Sequence, residues 1–139
     1  MELIPDRLAR ELAETTFDRN VVVVAGAGTG KTTLLVNRLV HLLVKHPDPV
    51  MVTEIVALTF TNKAATEMKV RLRERLTLLA QPEIDTTRAK DGGAVSAADL
   101  CTRYGLSTEE VASRAAAALR AHRVPRSPRS DPAARRGCA

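Results

Sequence analysis

The chemistry in this chain is concentrated at Ala25-Gly26-Ala27-Gly28-Thr29-Gly30-Lys31-Thr32-Thr33. Glycines at 26, 28 and 30 let the backbone turn with successive N–H groups pointing inward, where a side chain would block an approaching anion. Lys31 adds a point charge, and Thr32 brings a hydroxyl that suits Mg²⁺. Both stand at the expected start of a helix, whose positive end favours the same anion. Together these residue types fit the polyphosphate of a nucleoside triphosphate. The strict spacing G-x-x-x-x-G-K-[ST] asks for glycine at position 25, where this chain has Ala25. The three remaining glycines and the Lys-Thr pair keep the cradle's geometry.

A loop of this kind must be held between a strand and a helix, and the flanking sequence supplies candidates for both. Residues 21–25 are a continuous β-branched run bounded by Asn20 and Gly26, the pattern of a strand buried on both faces of a parallel sheet. Residues 32–45 carry Leu35, Leu39, Leu42 and Leu43 at helical spacing and stop at His46-Pro47-Asp48-Pro49. Before the loop, residues 6–16 read as a short helix with Leu8, Leu12 and Ala9 on one face. Residues 55–60 read as a second strand. Residues 63–79 read as a long helix with Met68, Leu72, Leu76 and Leu79 inward and Arg71, Arg73, Glu74 and Arg75 largely outward. The order helix, strand, helix, strand, helix predicts the beginning of a doubly wound α/β domain over residues 1–81. A loop is expected at 82–95. A helical segment follows to residue 119, interrupted at Gly105, and then a basic tail over 120–139 with no apolar periodicity to bury.

Composition narrows the classes. A chain of 139 residues, 45% hydrophobic, builds one modest core. Its net charge of +5 lies entirely in the tail, because residues 1–119 hold 15 basic and 15 acidic side chains. Overall charge therefore argues neither for nor against a nucleic-acid partner. Cys101 and Cys138 suggest neither a zinc site nor a disulfide framework, so a reduced, cytoplasmic setting is expected with no membrane segment. His41, His46 and His122 form no spacing with chemical meaning, and solvated positions are expected for them. Any base stacking has to come from Phe17, Phe60 or Tyr104, the three aromatic residues of the chain.

The second strand ends in Ala57-Leu58-Thr59-Phe60-Thr61-Asn62-Lys63-Ala64-Ala65-Thr66-Glu67-Met68, some thirty residues after the glycine loop. With that pairing the chain resembles the N-terminal part of the UvrD/Rep-type superfamily 1 DNA helicases over about residues 3–79. The phrases Asp6 with Ala9-Arg10 and Lys69-Val70-Arg71 look closest to the exonuclease V beta or AddA-like helicase-nuclease branch. The resemblance implies a P-loop, RecA-like parallel-sheet fold, ATP and Mg²⁺ as cofactors, single-stranded or partly duplex DNA as partner, and a second, partner helicase-nuclease subunit. It implies phosphate contacts from residues 25–33, Mg²⁺ at Thr32, a base against Phe60, and DNA backbone contacts from Thr61, Asn62 and Lys63. An aromatic face beside small polar donors at a helix start is consistent with single-strand binding. Without the resemblance, Phe60 reads as a core residue and Thr61-Asn62 as the cap of the next helix.

Two departures stand out. Family members commonly place an adenine-reading glutamine in the first helix. Here the matching position is Ala9, followed by Arg10, and Gln81 is the chain's one glutamine. Hydrolysis in the family also needs an Asp-Glu at the end of another apolar strand, and later arginines. No apolar run in these 139 residues ends in Asp-Glu, and Glu109-Glu110 opens a helix. The chain is thus expected to bind ATP without turning it over, with a tail that reads as out-of-frame sequence. Two rivals remain open: a non-enzymatic P-loop remnant, and a small helix-turn-helix DNA binder over residues 100–114 that offers Ser113 and Arg114 as contacts.

Overall fold

The computed structural model describes residues 6–45, 47–81 and 93–122. Among the described residues five α-helices form: α1 (Asp6–Thr15), α2 (Lys31–Val44), α3 (Asn62–Leu79), α4 (Ala97–Tyr104) and α5 (Thr108–Ala121), with a short 3₁₀ turn at Val52–Glu54. Their starts follow from local chemistry. Thr61 accepts the Ala64 N–H at the head of α3, while Ser96 with Asp99 and Ser107 with Glu110 form reciprocal capping boxes at the heads of α4 and α5. Gly105, at φ 63°, ends α4 by returning its N–H to the Cys101 carbonyl.

The core is a helical one. Val36, Leu39, Val40, Leu43 and Val44 of α2 meet Met68, Leu72, Leu76 and Leu79 of α3, and Leu100, Leu106, Val111, Ala115 and Ala118 close the cluster from α4, α5 and the turn between them. α3 lies against both α2 and α5, and α1 packs on α2. In α1 the buried residue is Ala13, while Leu8 and Leu12 stay about half exposed, so the face expected to be buried is only partly covered.

The parallel-sheet α/β architecture expected from the sequence is not what forms. Among the described residues there is no strand and no sheet. The two apolar runs that read as strands lie open: Val22 and Val24 of the first, and Val56 and Leu58 of the second, are among the most exposed apolar residues. The reason is physical. A helix pairs its own N–H and C=O groups within one segment, whereas a strand leaves both to be paired by another segment. An apolar β-branched run therefore states a preference that only a non-local partner completes. The runs 21–25 and 55–60 do not pair with each other.

Buried polar groups knit the helices together. Asn37 of α2 donates to Glu14 Oε1 at 2.9 Å and to the Gly93 carbonyl at 2.7 Å, and accepts the Val95 N–H at 3.2 Å. One turn on, His41 shares a 2.9 Å hydrogen bond between its Nδ1 and the Tyr104 hydroxyl. The expectation of solvated histidines fails at His41, which is 3% exposed. Burial holds its pKa down at about 4, with Arg103 acting in the same direction and Asp99 and Glu11 opposing. His46 lies outside the described residues. α5 runs on through Ala121 with His122 as its cap, and residues 82–92 and 123–139, covering most of the expected loop and tail, also lie outside the description.

Candidate phosphate-loop site

The glycine loop joins the first apolar run to α2. Gly28 and Gly30 both take left-handed backbone conformations, at φ 74° and 81°, which side-chain-bearing residues rarely adopt. Gly30 is the residue before α2, and no side chain caps that helix. Helices α3, α4 and α5 each have a Thr or Ser in that role, so the first-turn N–H groups of α2 stand ready for an external acceptor. Lys31 and Thr32 occupy that first turn with exposed side chains, and Thr33 is half-buried behind them.

The loop is closed on itself. Lys31 Nζ donates to the carbonyls of Ala25 at 2.8 Å and Gly26 at 3.0 Å, and Thr29 Oγ1 donates to the Gly26 carbonyl at 2.7 Å. The lysine charge is thus folded over the space inside the loop. Carbonyls are weak partners for an ammonium beside a phosphate, so an incoming polyphosphate would draw Nζ onto itself. A cavity of about 800 Å³ is lined by Lys31 and Thr29 of the loop, by Val21 and Val23 of the first apolar run, and by Arg10 and Ala13 of α1. The residues present fit a magnesium–nucleotide complex in their donor chemistry: a glycine backbone free of side chains, one cation and a hydroxyl at the helix start.

The second group of expected site residues sits at the head of α3. Phe60 is fully exposed, so its reading as core is set aside. Thr61 does cap the helix, its Oγ1 accepting the Ala64 N–H at 3.1 Å, while Thr59 Oγ1 donates to the Thr61 carbonyl at 3.0 Å. Asn62 and Lys63 are exposed beside it. Of the three aromatic residues, Phe17 lies under the Arg38 guanidinium, 4.9 Å from ring centroid to Cζ, and Tyr104 is joined to His41. Phe60 is the one whose face is open.

The region that read as a helix-turn-helix forms two helices, α4 and α5, but Arg114 is already engaged. Its Nη1 donates to the carbonyls of Val44 at 2.8 Å and Lys45 at 2.6 Å, closing the C-terminus of α2 from inside the bundle. Val111 is fully buried on the same helix. Of the two side chains offered for DNA, Arg114 therefore works as a structural cap, while Ser113 is exposed.

Sequence reasoning gave Arg10 no role at the glycine loop, which it bridges to Asp6, passed over Asn37, and expected His41 in solvent, although the last two tie the elements behind the loop. The signal was present for the latter pair: two polar residues four apart on the face of α2 that otherwise carries Val36, Val40 and Val44.

The family model described as UvrD/REP helicase N-terminal domain matches residues 8–117. Among curated relatives, the A subunit of an ATP-dependent helicase/nuclease from Thermoanaerobacter sp. (strain X514) is 36% identical over 100 residues, which is 71% of this chain and 8% of the relative. The protein of the same name from Desulforamulus reducens is 43% identical over 74 residues, 52% of this chain and 6% of the relative. That from Clostridium kluyveri is 44% identical over 62 residues, 45% of this chain and 5% of the relative. The chain thus spans less than a tenth of the length of these relatives. No solved structure matches it. Among the described residues no helix is long and apolar enough to cross a membrane.

Proposed function

The chain belongs to the UvrD/REP helicase N-terminal domain family, and on that premise we propose that it carries the ATP-binding loop and a single-strand contact of an ATP-dependent DNA helicase acting in repair or recombination. The observation that carries this reading is the start of α2: an uncapped helix N-terminus behind left-handed Gly28 and Gly30, with Lys31 folded over the space where phosphates belong. Lys31 binds the β and γ phosphates, and residues 25–33 wrap them with backbone N–H groups. Thr32 holds Mg²⁺, which when bound neutralises phosphate charge. Phe60 offers its open face to a base, with Thr61, Asn62 and Lys63 directed at the adjoining DNA backbone. A cytoplasmic setting and a partner helicase-nuclease subunit belong to the same proposal; the names of the relatives support the second of these.

These 139 residues contain no apolar run ending in Asp-Glu to position water, so the chain binds nucleotide without turning it over. Calorimetric titration with Mg-ATP tests the reading. Lys31→Ala is expected to abolish binding and Glu109→Ala to leave it unchanged. Equal affinity in wild type and Lys31→Ala, or steady phosphate release well above the Lys31→Ala background, would refute it.

A further inference from the structure

Arg10 is tied to the glycine loop in a way that the family pattern did not lead one to expect. Its Nε pairs with Asp6 Oδ2 at 2.8 Å, one turn back on α1, and its Nη2 donates to the Thr29 carbonyl at 2.7 Å. The third nitrogen, Nη1, lies 3.3 Å from where a Cβ on Gly30 would stand, so the guanidinium rests directly against that glycine. A trans peptide points its C=O and N–H in opposite directions. Whatever holds the Thr29 carbonyl toward α1 therefore turns the Gly30 N–H away from α1.

We infer that Arg10, anchored by Asp6, is a positioning residue that sets the Thr29–Gly30 peptide so that the Gly30 N–H faces the bound polyphosphate. The inference rests on the nucleotide-binding reading above. Three features support it beyond the single hydrogen bond. Asp6, one turn back on α1, takes the Nε edge of the guanidinium while Nη2 reaches the loop, so Arg10 joins the two elements. Gly30 at φ 81° has no side-chain constraint of its own to choose between peptide orientations. Thr29 Oγ1 is bound to the Gly26 carbonyl, which leaves the peptide plane at 29–30 as the part of the loop that an outside group must orient. Arg10 lines the same cavity as Lys31, but its Nε and Nη2 are taken by Asp6 and the Thr29 carbonyl, so its effect is on phosphate binding and not on the choice of base.

The test measures affinities of the full chain for Mg-ATP, Mg-GTP and tripolyphosphate, together with the backbone amide resonance of Gly30. Arg10→Ala is expected to weaken all three ligands alike, by about tenfold, the equivalent of one hydrogen bond to a charged group. It should also shift the free-state Gly30 amide, while Arg7→Ala, an exposed change on the same helix, alters neither. Asp6→Asn, which keeps the helix and weakens the anchor, should lose affinity in the same direction and by less. Wild-type affinity and an unmoved Gly30 amide in Arg10→Ala, with Lys31→Ala still defective, would overturn the inference and leave the nucleotide reading standing. A changed ATP-to-GTP ratio with unchanged tripolyphosphate binding would overturn it in favour of base reading by Arg10. If Lys31→Ala binds as wild type does, the nucleotide reading falls and the inference falls with it.

Discussion

Val40 and Val44 of α2 are fully buried, while Val22 and Val24, only some twenty residues earlier, are 86% and 95% exposed. Both segments are built of branched apolar side chains, and in isolation both prefer to leave water. They differ in what each must find first. α2 satisfies its own backbone and needs only side-chain neighbours, which α3, α4 and α5 supply. The run at 21–24 needs a backbone partner before its side chains gain anything, and among the described residues no strand pairs with it. Apolar composition states a demand for burial, and the backbone decides whether the demand is met locally.

The largest expected effect lies at the centre of the helical core. Leu76 is fully buried between α3 and its neighbours, so Leu76→Ala should cost about 2–5 kcal/mol in a urea titration through lost transfer energy and a cavity. A loss under about 1 kcal/mol would mean that the core is no better packed than the exposed runs.

The pH dependence sharpens the same contrast. His41 titrates near 4 in the folded chain, below its ordinary value, because burial opposes its charge. The unfolded chain takes up that proton first, so the contribution of His41 is complete above about pH 7 and is lost as pH falls from about 6.5 to 4, by up to ~3 kcal/mol. Glu14 works in the opposite direction, since burial raises its pKa and favours folding as pH falls. The comparison that isolates His41 is wild type against His41→Leu, which should show a flatter stability profile over that window. Identical slopes would place His41 in solvent.

Arg114→Ala removes two hydrogen bonds to the C-terminal carbonyls of α2 and should cost about 1–3 kcal/mol of stability. Affinity for duplex and for single-strand DNA should not change. A DNA defect without a stability defect would revive the helix-turn-helix rival.

The smallest effects belong to the exposed runs. Val24→Ala and Phe60→Ala should each change stability by less than about 0.5 kcal/mol, since neither side chain is packed. Phe60→Ala is the informative one. It should weaken single-strand DNA binding by about 1–3 kcal/mol in fluorescence anisotropy while the urea midpoint stays put. A fall in stability with unchanged DNA affinity would make Phe60 a packing residue and remove the main support for a DNA contact there.

The five described α-helices were legible in the amino-acid order, within a residue or two at the ends, because helix periodicity, caps and stops are local. Leu72, Leu76 and Leu79 share a face by spacing alone, and Ser107 with Glu110 announces the start of α5. The glycine loop was legible for the same reason, since Gly28, Gly30 and Lys31 are neighbours in sequence. The sheet was misread because strand pairing joins residues far apart, and no pattern within residues 21–25 or 55–60 says whether a partner is present. Tertiary structure alone decided that Arg114 is spent on α2, that His41 meets Tyr104 sixty-three residues away, and that Arg10 reaches nineteen residues along the chain to hold the Thr29 carbonyl. Those contacts depend on how helices cross, and the sequence of one helix carries no record of the backbone that another will present to it.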